Sequence, residues 1–258
     1  MSAAEILFER RGAAGIVTLN RPKALNAVTH AMVLALRSQL DCWDNDAAIT
    51  RVVVTGAGER AFSAGGDIRA LYDLGKAGRH DEALQFWSDE YPLNAVIKNY
   101  RKPYVALING IVMGGGVGVS VHGSHRVAGD RFSFAMPEVG IGFFPDVGAT
   151  WFLPRMPGEL GTYCALTGER FGIADALAGG IVTFDNMADL GLDTDAERAN
   201  EVDDLLGATN IFFKRFVGVV DHHVGEPCPH RPENGLRSFA VVKRDGDRNG
   251  CVGSEKFD

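Results

Sequence analysis

Residues 114–146 read GGGVGVSVHGSHRVAGDRFSFAMPEVGIGFFPD, a triple glycine followed by the pair Pro137, Glu138 and then the pair Pro145, Asp146. Glycines at a helix start leave backbone N–H groups exposed, and those groups can hold negative charge. Two carboxylates on short, proline-stiffened loops can act as acid, base or nucleophile. Together they suit a reaction in which a carbonyl oxygen becomes anionic.

Outward from this stretch, strands and helices alternate. Upstream, 104–109 is a buried-type strand and Gly110 opens the turn into the glycine-rich helix; downstream, 127–128 and 132–135 read as short strands. Near the N-terminus, 6–9 and 16–20 are β-rich runs joined by RRGAAG, which predicts a hairpin. A helix is expected from about Ala27, because Val28, Met32, Leu36 and Leu40 make one apolar stripe. A strand at 51–55 ends in the turn GAGER, and a helical region follows over 81–100, kinked or divided at Pro92. The order β, β, α, β, α, β, α, β predicts an α/β architecture with crossover connections.

The chain of 258 residues, 46% apolar, is long enough for a large core. Its net charge of −7 argues against a nucleic-acid surface, and an anionic cofactor would need a local cluster of donors. MSAAEILFERRG lacks the basic-then-apolar layout of a signal peptide, and no apolar run reaches the roughly 18 residues of a membrane span. Cys42, Cys164, Cys228 and Cys251 lie far apart without metal-ligand spacing, so reduced thiols in a cytoplasmic protein are expected. His122 and His125 complete no metal set, and HHVGEPCPH at 222–230 matches no common site, so no metal is expected. Near Thr183 the composition shifts: 184–204 is acid-rich and could form a solvated helix, and from Asp221 the chain loses periodicity. Residues 1–183 therefore read as the core and 184–258 as an atypical, poorly ordered or peripheral C-terminal region.

Three groups of residues bear chemistry. Ala64, Gly65, Gly66 and Gly114, Gly115, Gly116 each follow a strand, and each turn can aim an N–H at one oxygen atom. The same glycines also read as tight turns or close-packing positions. Glu138 and Asp146 flank the apolar VGIGFF, which would raise their pKa values; Asp146 could equally cap a helix over 147–153, and Glu138 could be a surface acid. Asp89 and Glu90 sit among Phe86, Trp87 and Tyr91, and could be the wet face of a helix.

Four ordered motifs then resemble the crotonase, or enoyl-CoA hydratase/isomerase, superfamily: LNRPKALN at 19–26, FSAGGDI at 62–68, KPYVALING at 102–110 and GGG at 114–116. The resemblance covers about 5–183. It implies a spiral of repeated ββα units, an acyl-CoA substrate, trimers or dimers of trimers, and an oxyanion hole at the N–H groups of Ala64 and Gly115. Within the superfamily, GGGVGVSVHG, FAMPEVGIGFFPDVG and FLPR resemble the branch that hydrolyses 3-hydroxyisobutyryl-CoA in valine degradation. Hydratases carry a Glu two residues after the triple glycine; here that position is Gly118, and Asp146 stands where hydratases commonly have Gly.

The resemblance implies Glu138 as nucleophile or general base and Asp146 as holder of water or of the β-hydroxyl. Substrate contacts are implied for Glu90, Gly65, Gly66, Asp67, Gly114 and Gly116. Arg21, Lys23, Ala24 and Ile68 would bind the coenzyme, which is part of the substrate, so no separate cofactor is expected. A hydratase or an isomerase, of which the isomerase needs only Glu138, and an inactive acyl-CoA-binding or partner-binding homologue are the rival readings. After Thr183 the sequence departs from the family.

Overall fold

A computed structural model describes residues 4–184 of the chain. The expected hairpin forms: β1 (Ile6–Arg11) and β2 (Ala14–Leu19) pair antiparallel, with Ile6 opposite Leu19 and Arg11 opposite Ala14. Gly12, at φ 54°, and Ala13 suffice for the turn, so both arginines of RRGAAG remain in the strand. β3 (Arg51–Gly56), β5 (Tyr104–Ile108) and β7 (His125–Ala128) add in parallel, giving the sheet order β1-β2-β3-β5-β7.

Each of these three parallel strands is followed by a three-residue strand: β4 (Ala61–Ser63), β6 (Ile111–Met113) and β8 (Ser133–Ala135). These form a second parallel sheet, β4-β6-β8. One strand goes to each sheet, helices carry the chain back, and the unit repeats. Parallel neighbours require such crossovers, and β5, buried at every position, has the continuous apolar character of a strand covered on both faces. This is the expected spiral of ββα units.

The helices depart from expectation in four places. The first, α1 (His30–Asn45), starts after Thr29, whose hydroxyl accepts the Met32 N–H at 3.2 Å. Val28 lies before it, bridging to Gly66. α2 (Ile68–Lys76), which was not expected, is capped by Asp67 and packs against the core through the partly buried Leu71. α3 (His80–Lys98) is continuous through Pro92, which lies on its exposed face, where water can take the carbonyl that proline leaves free. Finally, β6 intervenes between Gly110 and the glycine-rich helix, which shrinks to α4 (Gly115–Gly118).

The main core packs Met32, Leu36 and Leu40 of α1 and Leu93 and Ile97 of α3 against Val52, Val54, Ala106 and Ile108 of the large sheet. After β8 come a 3-10 turn (Pro137–Ile141), α5 (Ala149–Phe152), a second turn (Leu153–Arg155), α6 (Leu160–Thr167) and α7 (Ile173–Ala178). Phe184 bridges to Val127. The acid-rich helix expected over 184–204, the domain at 184–258 and the HHVGEPCPH tract otherwise lie outside the described residues. Cys42 and Cys164 are free thiols, and among the described residues no helix is long and apolar enough to cross a membrane.

Candidate active site

The small sheet brings the two glycine turns together. β4 and β6 are neighbours, so the chain leaves Ser63 and Met113 side by side. Gly65 has φ 114° and Gly114 φ 46°, values that L side chains rarely adopt. A methyl placed on Gly115 would lie 3.0 Å from the Gly66 nitrogen and 2.8 Å from Glu90 Oε1. Among the described residues, no acceptor takes the N–H of Gly66 or of Gly115.

Ala64 does not supply the other donor. Its N–H is spent on the Leu25 carbonyl at 2.9 Å. Leu25 (φ 51°) and Asn26 (φ 54°) turn the LNRPKALN segment back onto this loop, and Asn26 Nδ2 donates to the carbonyls of Ala57 and Ala61. The pair of open donors is therefore Gly66 and Gly115, a shift of two residues that follows from a loop contact invisible in the motif.

Three carboxyl groups converge beside these donors. Glu90, on α3, is 1% exposed and its Oε1 has no hydrogen-bond partner among the described residues. Burial, then the charge of Asp146, pushes its pKa up to about 8. Glu138, in the 3-10 turn, is 8% exposed; a methyl on Gly114 would lie 2.9 Å from its Oε1, and its Oε2 has no partner. Burial pushes it up to about 7, its own backbone N–H opposing and the Asp146 charge adding. Asp146 is also raised by burial, against the lowering effect of the hydrogen bond it accepts from the Tyr91 hydroxyl at 3.0 Å. The surface reading of Glu138 and the wet-face reading of Glu90 thus fail, while Asp89 does lie on the wetter side, paired with His30 at 2.6 Å. Nor does Asp146 cap a helix with its side chain: Gly148 precedes α5.

These groups line a cavity of about 380 Å³. Ala64, Gly65, Gly66, Gly114, Gly115, Glu90, Glu138, Asp146 and Ile68 all face it, and Phe86, Trp87 and Phe143 form an aromatic wall, with Trp87 stacked on Phe143 at 5.9 Å. Two expected substrate contacts are elsewhere. Asp67 caps α2 and pairs with Arg21 at 2.9 Å, and Gly116 packs against β4, where a methyl would run into the Ser63 carbonyl. Arg21 is also occupied, bonding Glu5, Asp67 and the Ala27 carbonyl, so it is not an open cation. Lys23 and Ala24 are exposed and line no part of this cavity. His122, buried, engages the Val147 carbonyl at 2.7 Å, and no group of metal-holding side chains occurs among the described residues. The sequence reading gave Tyr91 and Asn94 no role; the i,i+4 spacing of Asn94 from Glu90 on one helix could have found it, whereas nothing in the spacing singles out Tyr91.

Gly118 is closed rather than vacant. A methyl there would lie 2.8 Å from Asn94 Oδ1 and 2.9 Å from Val147 Cβ. Val147 itself has φ 44°, an uncommon state for a β-branched residue and one that holds the loop after Asp146 against the site.

Comparisons with known proteins identify the family. Residues 14–199 match the enoyl-CoA hydratase/isomerase family. The chain is 55% identical over 182 residues to "3-hydroxyisobutyryl-CoA hydrolase, mitochondrial" of Danio rerio, covering 70% of this chain and 47% of that protein. It is 50% identical over 182 residues to the Homo sapiens protein of the same name, with the same coverages. The chain thus spans about half the length of the curated relatives it matches. A carnitinyl-CoA dehydratase from Mycobacterium thermoresistibile superposes with a TM-score of 0.73 at 49% identity, covering 80% of this chain and 61% of that one. An enoyl-CoA hydratase from Rhodobacter sphaeroides does so at 0.71 and 37% identity, covering 90% and 62%. The relatives' names place them in mitochondria, which overturns the cytoplasmic expectation drawn from dispersed cysteines and the N-terminal composition.

Proposed function

The chain belongs to the enoyl-CoA hydratase/isomerase family, and from that premise we propose that it hydrolyses the thioester of a short 3-hydroxyacyl-CoA, 3-hydroxyisobutyryl-CoA foremost, in mitochondria. The observation that carries this reading is the closed Gly118 position. Hydratases place a carboxylate at this position, and Asn94 and Val147 fill the space such a side chain would need here.

The thioester carbonyl oxygen sits between the N–H groups of Gly66 and Gly115, which hold its charge more strongly in the transition state than in the ground state. Glu138, with a pKa near 7, is ionised in a large fraction at neutral pH and can still carry a proton. As general base it takes a proton from water while the water oxygen bonds the carbonyl carbon. The C–S bond then breaks and the leaving thiolate takes that proton. Alternatively Glu138 attacks the carbon itself and water opens the resulting anhydride; ¹⁸O from labelled water would enter the Glu138 carboxyl over several turnovers only by this second route. Glu90, protonated at neutral pH, donates to the substrate, and Asp146 accepts from the β-hydroxyl. Coenzyme A arrives with the substrate and no resident cofactor takes part. The family resemblance supports a trimer or a dimer of trimers, measurable by sedimentation.

The test is thiol release from 3-hydroxyisobutyryl-CoA. Glu138→Gln should lower the rate by about 10²–10⁴. Thermal stabilisation by the ligand without thiol release in the wild type would instead mark a binding protein. Loss of enoyl absorbance from crotonyl-CoA would favour hydration.

A further inference from the structure

Behind the glycine-rich cavity lies a second one, of about 620 Å³, between α3 and the loop that follows Phe143. The two have one lining residue in common, Asp146. That residue is fixed from both sides. Tyr91, next to Glu90 on α3, donates its hydroxyl to Asp146 Oδ2 at 3.0 Å. His122 engages the carbonyl of the next residue, Val147, at 2.7 Å, and its ring packs so close to Gly148 that a methyl there would meet it at 2.7 Å. The far cavity has a mixed lining, apolar at Ala95, Phe144 and Pro145 and polar at Lys98 and Asn99. Val147, Thr150 and Trp151 line it, and so does Asn94, 5% exposed, whose two amide atoms have no partner among the described residues.

We propose that Tyr91 determines acyl-length specificity: by holding Asp146 across the passage it makes a partition, so a short 3-hydroxyacyl group ends against the carboxylate while a longer chain is refused the cavity behind. This rests on the reading that the acyl thioester occupies the glycine-rich cavity. The chemistry of the partition favours the short hydroxyl-bearing substrate twice. A hydroxyl at the β-carbon satisfies a carboxylate oxygen, whereas a methylene chain reaching that point must displace a hydrogen-bonded carboxyl and leave it unpaired. Release of the latch would join two spaces that are each of ligand size.

Binding of inert thioethers tests this without relying on turnover. The probes are S-(3-hydroxybutyl)-CoA and S-(3-hydroxyoctyl)-CoA, titrated by calorimetry into the full chain. Wild type should bind the short probe at least about tenfold more tightly than the long one, a ratio of the size that pocket closure against methylenes produces. Tyr91→Phe keeps the ring and loses the latch; it should narrow the ratio, and Tyr91→Ala should abolish it by tightening the long probe while the short one holds. Adding Thr150→Trp to Tyr91→Ala refills the far cavity and should restore the preference. Tyr91 is 39% exposed, so the Phe variant tests the latch with little burden on folding. Equal binding of both probes by wild type, or a ratio unchanged in both Tyr91 variants, overturns the partition alone. Failure of wild type to bind either probe overturns the acyl-CoA reading and the partition with it.

Discussion

Gly66 and Ala64 make opposite predictions although they are two residues apart. Proline at either position removes one N–H. At Gly66 that donor is open to the cavity, so Gly66→Pro should cut kcat for thiol release by about 10²–10³. At Ala64 the donor is bonded to Leu25, so Ala64→Pro should chiefly lower the melting temperature, by the loss of a buried hydrogen bond worth about 1 kcal/mol plus the strain of the ring. The pH profile belongs to the same scale. Glu138 must be ionised to act, so kcat/KM should rise through about pH 7; Glu90 must be protonated to donate, so it should fall again above about pH 8. In Glu90→Gln, which keeps a donor at every pH, the upper limb should vanish. The Pro–Glu and Pro–Asp pairs drew attention to Glu138 and Asp146, but the residues alone left a surface acid and a helix cap open; burial beside the glycine turns is what separates those readings. Which amide faces the cavity was not legible, since it depends on Leu25 and Asn26 adopting positive φ forty residues upstream.

Among the elements, α3 carries the most. It presents Glu90 to the thioester cavity and Tyr91 and Asn94 to the far one, which is why a single helix can shape both. Pro92 sits within it without breaking it. Proline in a helix interior costs about 3 kcal/mol relative to alanine, less where the freed carbonyl meets water. Pro92→Ala should therefore raise stability by about 1–2 kcal/mol in denaturant titration. The break expected at Pro92 came from reading the residue without its face; the apolar positions around it, Ala83, Phe86, Leu93 and Ile97, continue one buried stripe past it. α2 and β6 escaped for a different reason. α2 is only nine residues long, so its apolar positions Ile68, Leu71 and Tyr72 span little more than one turn, and β6 has three residues, too few for alternation to register.

For the whole molecule, the two-sheet spiral was legible where strands are long and fully buried, as in 51–56 and 104–108. The small sheet was legible only at 132–135, where β8 forms; β4 and β6 are held by their neighbours rather than by their own pattern. Housing a cluster of acids in such a fold has a measurable cost. Glu90 and Glu138 have folded-state pKa values above the 4.5 of the unfolded chain. The native state therefore binds more protons, its stability is full below about pH 4.5 as far as these groups are concerned, and that contribution is lost as pH rises through about 7 and 8. Glu90→Gln should accordingly be more stable than wild type at pH 9, by on the order of a few kcal/mol, and no more stable at pH 4; chemical denaturation at the two pH values checks it.

The crowding at Gly118 also bears on how this site can be re-engineered. A side chain introduced there comes within 3.0 Å of Asn94 Oδ1 and of the backbone-strained Val147 at once, so its neighbours must shift to admit it. A designer who wants a carboxylate at 118 should therefore vary positions 94 and 147 together with it.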